Sequence, residues 1–146
     1  MHRTRIKICG LTREEDVRAA VSAGADAIGF VFYPPSPRFV SFERAAELAR
    51  LIPPFVTTVG LFVNAGRDYV ENALEAVPLQ VLQFHGDETE TDCVGFGLPY
   101  IKAGRMRPGL DLLKYAASFP CAQGLLLDAF VEGYGGGGET FDWSLI

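Results

Sequence analysis

Six short runs rich in Val, Ile, Leu and Phe alternate with helix-forming stretches along the 146 residues, and this alternation constrains the fold more than any other feature. The strand-like runs are Arg5–Cys9, Ala27–Tyr33, Thr57–Asn64, Val81–His85, Tyr100–Ala103 and Gly124–Asp128. Each is shorter than an ordinary helix, and the β-branched and aromatic residues in them favour a pleated surface. Between them the sequence predicts helices over Arg13–Ala23, Phe42–Leu51, Arg67–Ala76 and Leu110–Ser118, with a weaker helical stretch over Thr89–Phe96 that Gly95 and Gly97 interrupt. Thr12 with Glu15 forms a candidate capping box for the first helix, and Ser41 a candidate cap for the second. Strands separated by helices require right-handed crossovers and a parallel sheet covered by those helices. The expected fold class is α/β, in a single domain over residues 1–146.

Composition narrows the partners. Nearly half the chain is apolar (49%) and only 21% is charged, enough to bury one substantial core. The net charge is −5, with Lys and Arg scattered singly, so no basic stripe is available for a nucleic-acid backbone or an anionic membrane. No apolar run approaches the ~20 residues of a membrane span, and the N-terminus has no secretory pattern. The expectation is a cytoplasmic protein. Three widely spaced cysteines, Cys9, Cys93 and Cys121, suit free thiols, and no clustered His/Cys spacing suggests zinc.

Chemistry concentrates at the ends of strands. Residues two apart share a face of a strand, so Lys7 pairs with Cys9 and Gln83 with His85, while Ile6, Ile8, Leu82 and Phe84 take the helix-facing side. Asp128 closes the run Gly124–Leu127, and four glycines at 135–138 follow it. Polar groups at the C-terminal ends of several strands suit the mouth of a (β/α) barrel, although an open doubly wound sheet also places its site there. Periodicity leaves both open. A thiol and a carboxyl at such a rim suggest acid/base chemistry, and a glycine run can bare backbone N–H groups to a phosphate. Each has a plainer reading: Cys9 as a small buried hydrophobe, Asp128 as a turn residue, His85 as a structural histidine, the glycines as a linker. Tyr33–Arg38 carries three prolines, which fix its backbone; it is either a connector or a preorganised clamp whose Arg38 binds a carboxylate through paired hydrogen bonds.

Taken in order, Lys7-Ile8-Cys9-Gly10-Leu11-Thr12, Gly29-Phe30-Val31-Phe32-Tyr33 through Ser36-Pro37-Arg38, Gln83-Phe84-His85-Gly86, Ile101-Lys102-Ala103, and Tyr134-Gly135-Gly136 through Thr140-Phe141-Asp142-Trp143 resemble the motifs of the phosphoribosylanthranilate isomerases of tryptophan biosynthesis. The resemblance spans essentially the whole chain. It implies a (β/α)8 barrel and a cofactor-free Amadori rearrangement of N-(5-phosphoribosyl)anthranilate to the 1-deoxyribulose 5-phosphate product. It further implies Cys9 as general base, Asp128 as general acid, Arg38 on the anthranilate carboxylate, Gly135 and Gly136 on the phosphate side, and Lys7, Gln83 and His85 lining the mouth.

One departure stands against the family pattern: about six β/α units are present, and the sequence stops at Phe141–Ile146, which reads as the opening turn of a sixth helix. The expectation is an incomplete barrel with unpaired edges, prone to self-association as a homodimer or otherwise, and weakly active or inactive by itself. Alternatives are a non-catalytic sugar-phosphate binder and an assembly fragment completed by another chain.

Overall fold

The computed structural model describes residues 3–130, 134 and 140–146. It contains six strands, β1 (Lys7–Cys9), β2 (Ala27–Val31), β3 (Thr57–Phe62), β4 (Val81–Phe84), β5 (Tyr100–Met106) and β6 (Gly124–Ala129). Helices α1 (Glu14–Ser22), α2 (Phe42–Ala49), α3 (Arg67–Ala76), α4 (Glu90–Cys93) and α5 (Leu112–Ala117) connect them in turn, and a 3₁₀ turn occupies Trp143–Leu145. All six strands are parallel and lie in chain order, each paired with its sequence neighbour. The expected α/β class and parallel sheet are both present.

Register decides which side chains meet. Cys9 is level with Gly29, Gly29 with Val59, Leu61 with Gln83, Gln83 with Ile101, and Ala103 with Leu126. Residues at one level share a face, so the alternation within each strand becomes two separate layers across the sheet. One layer holds Ile28, Phe30, Phe32, Phe62, Leu82, Phe84 and Tyr100, packed against the apolar stripes of the helices, such as Ala45, Leu48 and Ala49 of α2 and Val70, Ala73 and Val77 at α3. Spacings of three and four put those residues on one side of each helix. The opposite layer is a small cluster of Val31, Leu61 and Val63, against which Cys9, Tyr33 and Tyr134 pack.

The sheet is strongly curved. Neighbouring strands lie ~4.8 Å apart, so β1 and β6 of a flat six-stranded sheet would stand roughly 24 Å from each other. Yet Cys9 on β1 and Asp128 on β6 line one cavity with residues of β2, β3 and β4. Only an arc wrapped around that cavity brings both edges to it, which is the geometry of a barrel wall rather than an open doubly wound sheet. Among the described residues β1 and β6 each pair on one side only. Ile6, just before β1, and Ile8 within it are 45% and 37% exposed.

Several local expectations change. The first helix begins after Arg13 with no side-chain cap, so the Thr12–Glu15 capping box does not form; Glu14, Glu15 and Asp16 supply negative charge to its first turn instead. Ser41 does cap α2, accepting from Arg44 N–H. The capping box occurs at the short α4, between Thr89 and Asp92. Strand β5 runs three residues past Ala103, to Met106, because it pairs with β6 as far as Ala129. Among the described residues no helix is long and apolar enough to cross a membrane, and no cluster of His, Cys, Asp and Glu is placed to hold a metal ion.

Candidate active site

The cavity at the C-terminal end of the sheet has a volume of about 440 Å³ and is lined by Lys7, Cys9, Arg38, Gln83, His85 and Asp128 together with Tyr33, Ser36, Leu126 and Tyr134. The six candidate residues that the structure describes therefore converge on one space, although they come from four separate segments of the chain. Gly135 and Gly136 lie outside the described residues.

Cys9 is placed by its neighbours' small size. A Cβ on Gly29, level with it on β2, would stand 2.9 Å from Cys9 Sγ and 3.3 Å from Lys7 Nζ. Glycine at 29 thus opens the niche into which both the thiol and the ammonium project. The three cysteines are all free, but their surroundings differ. Cys93 is buried in the helix-facing core, and burial pushes its thiol up to about 12, which leaves it inert near neutrality. Cys121 is exposed near Glu90, outside the cavity.

Arg38 reaches the site from the proline-rich loop. Tight hydrogen bonds from Ser36 N–H to Tyr33 O and from Phe39 N–H to Ser36 O fold that loop, and Val40 N–H to Val31 O returns it to β2. The guanidinium Nη1 donates to the Cys9 carbonyl at 3.2 Å. Its stem lies over Gly10, which has φ +82°, and a Cβ there would come within 2.7 Å of Arg38 Cδ. Both the backbone conformation and the close approach require glycine at that position.

Gln83, His85 and Asp128 form a hydrogen-bonded line across β4 and β6. Gln83 Nε2 lies 2.9 Å from His85 Nδ1, and His85 Nε2 lies 2.9 Å from Asp128 Oδ2. Burial is the main influence lowering the His85 pKa; Lys102 and Lys7 add to it, and Asp128 works against it. The imidazole is accordingly neutral near pH 7, so its contact with Asp128 is a hydrogen bond rather than an ion pair: Nε2–H donates to the carboxylate and Nδ1 accepts from the Gln83 amide. Asp128 Oδ1 accepts the Ala129 N–H at 2.9 Å. The Gln83 carbonyl oxygen is buried without a hydrogen-bond partner among the described residues.

Sequence reasoning missed the rim that holds these groups. Lys102 and Glu88 form an almost fully buried ion pair, 3.2 Å apart. Glu88 accepts N–H groups from Asn64 and Gly86, and Lys102 donates to the Gly86 carbonyl at 2.8 Å, so the pair joins the ends of β3, β4 and β5. Tyr134 donates to Asp87 and accepts from Asn64, and its ring packs edge-on against Tyr33. A lysine inside an apolar strand and an acid just beyond the preceding one were the available signals, because neither charge is buried without a partner.

A model of the N-(5'-phosphoribosyl)anthranilate isomerase family matches residues 6–146. The chain belongs to this isomerase family. Among its curated members, the isomerase of Dechloromonas aromatica is 70% identical over 99% of the chain, and that of Leptothrix cholodnii is 65% identical over 99%. The isomerase structure from Thermotoga maritima superposes with a TM-score of 0.87 at 39% identity, over 98% of this chain and 70% of its own. A further isomerase structure, in complex with reduced 1-(o-carboxyphenylamino)-1-deoxyribulose 5-phosphate, matches 88% of the chain with a TM-score of 0.80 at 37% identity. The chain spans 69%, 66% and 65% of the length of three curated isomerases. The (β/α) barrel wall inferred from the cavity is the fold of these isomerases.

Proposed function

We propose that this site carries out the isomerase reaction of its family, the Amadori rearrangement of N-(5-phosphoribosyl)anthranilate, with Cys9 as general base and Asp128 as general acid. The observation that supports it most is the convergence of Cys9 and Asp128, from opposite edges of the sheet, on one cavity large enough for a sugar. Asp128 donates a proton to the furanose ring oxygen as the C1'–oxygen bond breaks, and the anthranilate nitrogen supplies the electron pair that makes the iminium. That cation acidifies the C2' proton. Cys9 removes it as a thiolate, the C2'–H electrons form the enolamine, and tautomerisation with proton uptake at C1' gives the ketose. The substrate's own nitrogen serves as electron sink, so the chemistry requires no cofactor.

Arg38 holds the anthranilate carboxylate through paired hydrogen bonds, and Lys7 adds positive charge to the thiol side of the cavity. His85 and Gln83 position Asp128. Gly135 and Gly136, which lie outside the described residues, are assigned to the substrate phosphate by the family resemblance alone. That one relative binds a reduced form of the product supports a substrate of this class. Incubation of the chain with N-(5-phosphoribosyl)anthranilate, with ketose product resolved by chromatography, tests the proposal. Product formed above the uncatalysed rate and abolished by Asp128→Asn supports it; product at the background rate, or undiminished by that substitution, contradicts it.

A further inference from the structure

The Gln83 carbonyl is the one buried side-chain polar atom without a partner among the described residues, and it belongs to the amide whose other end touches His85. Gln83 is 1% exposed, so neither end of the amide is compensated by bulk water. An unpaired buried acceptor is costly, and an amide can reverse its ends by a half-turn about its last torsion. The 2.9 Å contact with Nδ1 accommodates either end: N–H donating to a bare Nδ1, or C=O accepting from a protonated one.

We propose that Gln83 is a reversible amide switch for the His85–Asp128 pair, presenting its N–H to Nδ1 when the pair holds one proton and its carbonyl when the pair holds two. With one proton, His85 Nε2–H donates to the Asp128 carboxylate and Nδ1 accepts. When the pair takes a second proton from solvent, the Nε2–Oδ2 contact already holds one and Asp128 Oδ1 is engaged by the Ala129 N–H, so the new proton binds Nδ1, which becomes a donor. The turned Gln83 carbonyl is then its acceptor. The two-proton form is the one able to give a proton to a substrate oxygen, so Gln83 is a positioning residue that stabilises the acid form of the pair. No bond other than N–H or O–H changes in this step.

The groups around the imidazole act on its charge in both directions, with a net lowering. Lys7 from β1 and Lys102 from β5 oppose a positive His85, Asp128 from β6 favours it, and burial opposes it most. Glu88 neutralises Lys102 at 3.2 Å, and Cys9 and Arg38 line the same cavity. In such surroundings one hydrogen bond to a charged donor shifts the titration measurably.

The switch rests on the reading of Asp128 as an acid, but its test needs no turnover. The sequence holds two histidines, His2 and His85, so ¹⁵N nuclear magnetic resonance of the ligand-free protein resolves the His85 ring nitrogens with few overlaps. On acidification Nδ1 acquires a proton, and the Gln83 side-chain amide signals move with the same midpoint. Gln83→Met removes the acceptor and lowers the His85 midpoint by about one pH unit, while Gln83→Glu, a permanent acceptor, raises it. If the amide is instead fixed with its N–H toward Nδ1, Gln83→Met raises the midpoint by removing a repelling donor; that result overturns the proposal. So does a wild-type Nδ1 that never protonates, or one that titrates while the Gln83 amide signals stay still. The wild-type titration decides the matter even if a variant fails to fold. Absence of isomerase turnover would contradict the functional reading and leave this titration standing.

Discussion

Gly29 and Cys9 are level on adjacent parallel strands, and the missing side chain of the first is the space occupied by the sulfur of the second. A Cβ at Gly29 would sit 2.9 Å from Sγ, closer than real contacts allow. Gly29→Ala therefore displaces the thiol and the Lys7 ammonium together. Displacing a reacting group by about 1 Å can cost around 100-fold, so isomerase kcat/KM is expected to fall by about 10- to 100-fold while circular dichroism stays unchanged.

Arg38 approaches the site as a planar donor fork, held by the Cys9 carbonyl. Lysine keeps the charge but loses the paired geometry. Arg38→Lys is expected to raise KM by about tenfold, the worth of ~1.4 kcal/mol, with a smaller change in kcat. Steady-state kinetics over a range of substrate concentrations measures the split.

Lys102 and Glu88 test whether the rim is held by a buried charge pair. Lys102→Met leaves the Glu88 carboxylate buried without its cation and is expected to cost about 3–5 kcal/mol in chemical denaturation. The double variant Lys102→Met/Glu88→Gln removes both charges and should recover a good part of that loss. A single variant as stable as wild type would show that the pair does not hold the rim.

The lowered pKa of His85 ties stability to pH. Below the ordinary histidine value of about 6.5 the unfolded chain takes up a proton that the folded imidazole still refuses, so the unfolded state binds more protons in that window. Stability is expected to fall as pH drops from about 6.5 to the folded value, by at most ~1.4 kcal/mol per pH unit from this group. Substituting His85 by Gln should flatten that part of the curve. Urea titrations at pH 7 and pH 5.5 supply the comparison.

The sheet was legible in the sequence because six short apolar runs alternate with helical stretches, and residues two apart in a strand share a face. Phe62 and Phe84 had only the helix side available, and Leu61 and Gln83 only the cavity side. Convergence of Cys9, His85 and Asp128 was legible for the same reason, since strand ends in a parallel sheet share one rim; Arg38 reaches that rim from a loop, whose residues alone suited a connector as well as a clamp. Helix starts were less so: Thr12 and Thr89 both head a capping pattern, and only Thr89 forms one, because capping depends on the path of the incoming loop. The partners of Lys102, Asn64 and Tyr134 could not be read at all. They are set by contacts across 14, 24 and 47 residues, between Lys102 and Glu88, Asn64 and Glu88, and Tyr134 and Asp87. No local pattern encodes such pairings.

The central claim is that Cys9 and Asp128 act on one sugar, and the thiol offers the most direct test because one atom can be exchanged in it. Cys9→Ser keeps size and hydrogen bonding but loses the ready anion, and general-base removal typically costs about 100- to 10,000-fold. The account predicts a kcat reduced by that factor in steady-state conversion of N-(5-phosphoribosyl)anthranilate, with substrate affinity and thermal unfolding little changed. A Cys9→Ser protein turning over within threefold of wild type would contradict it.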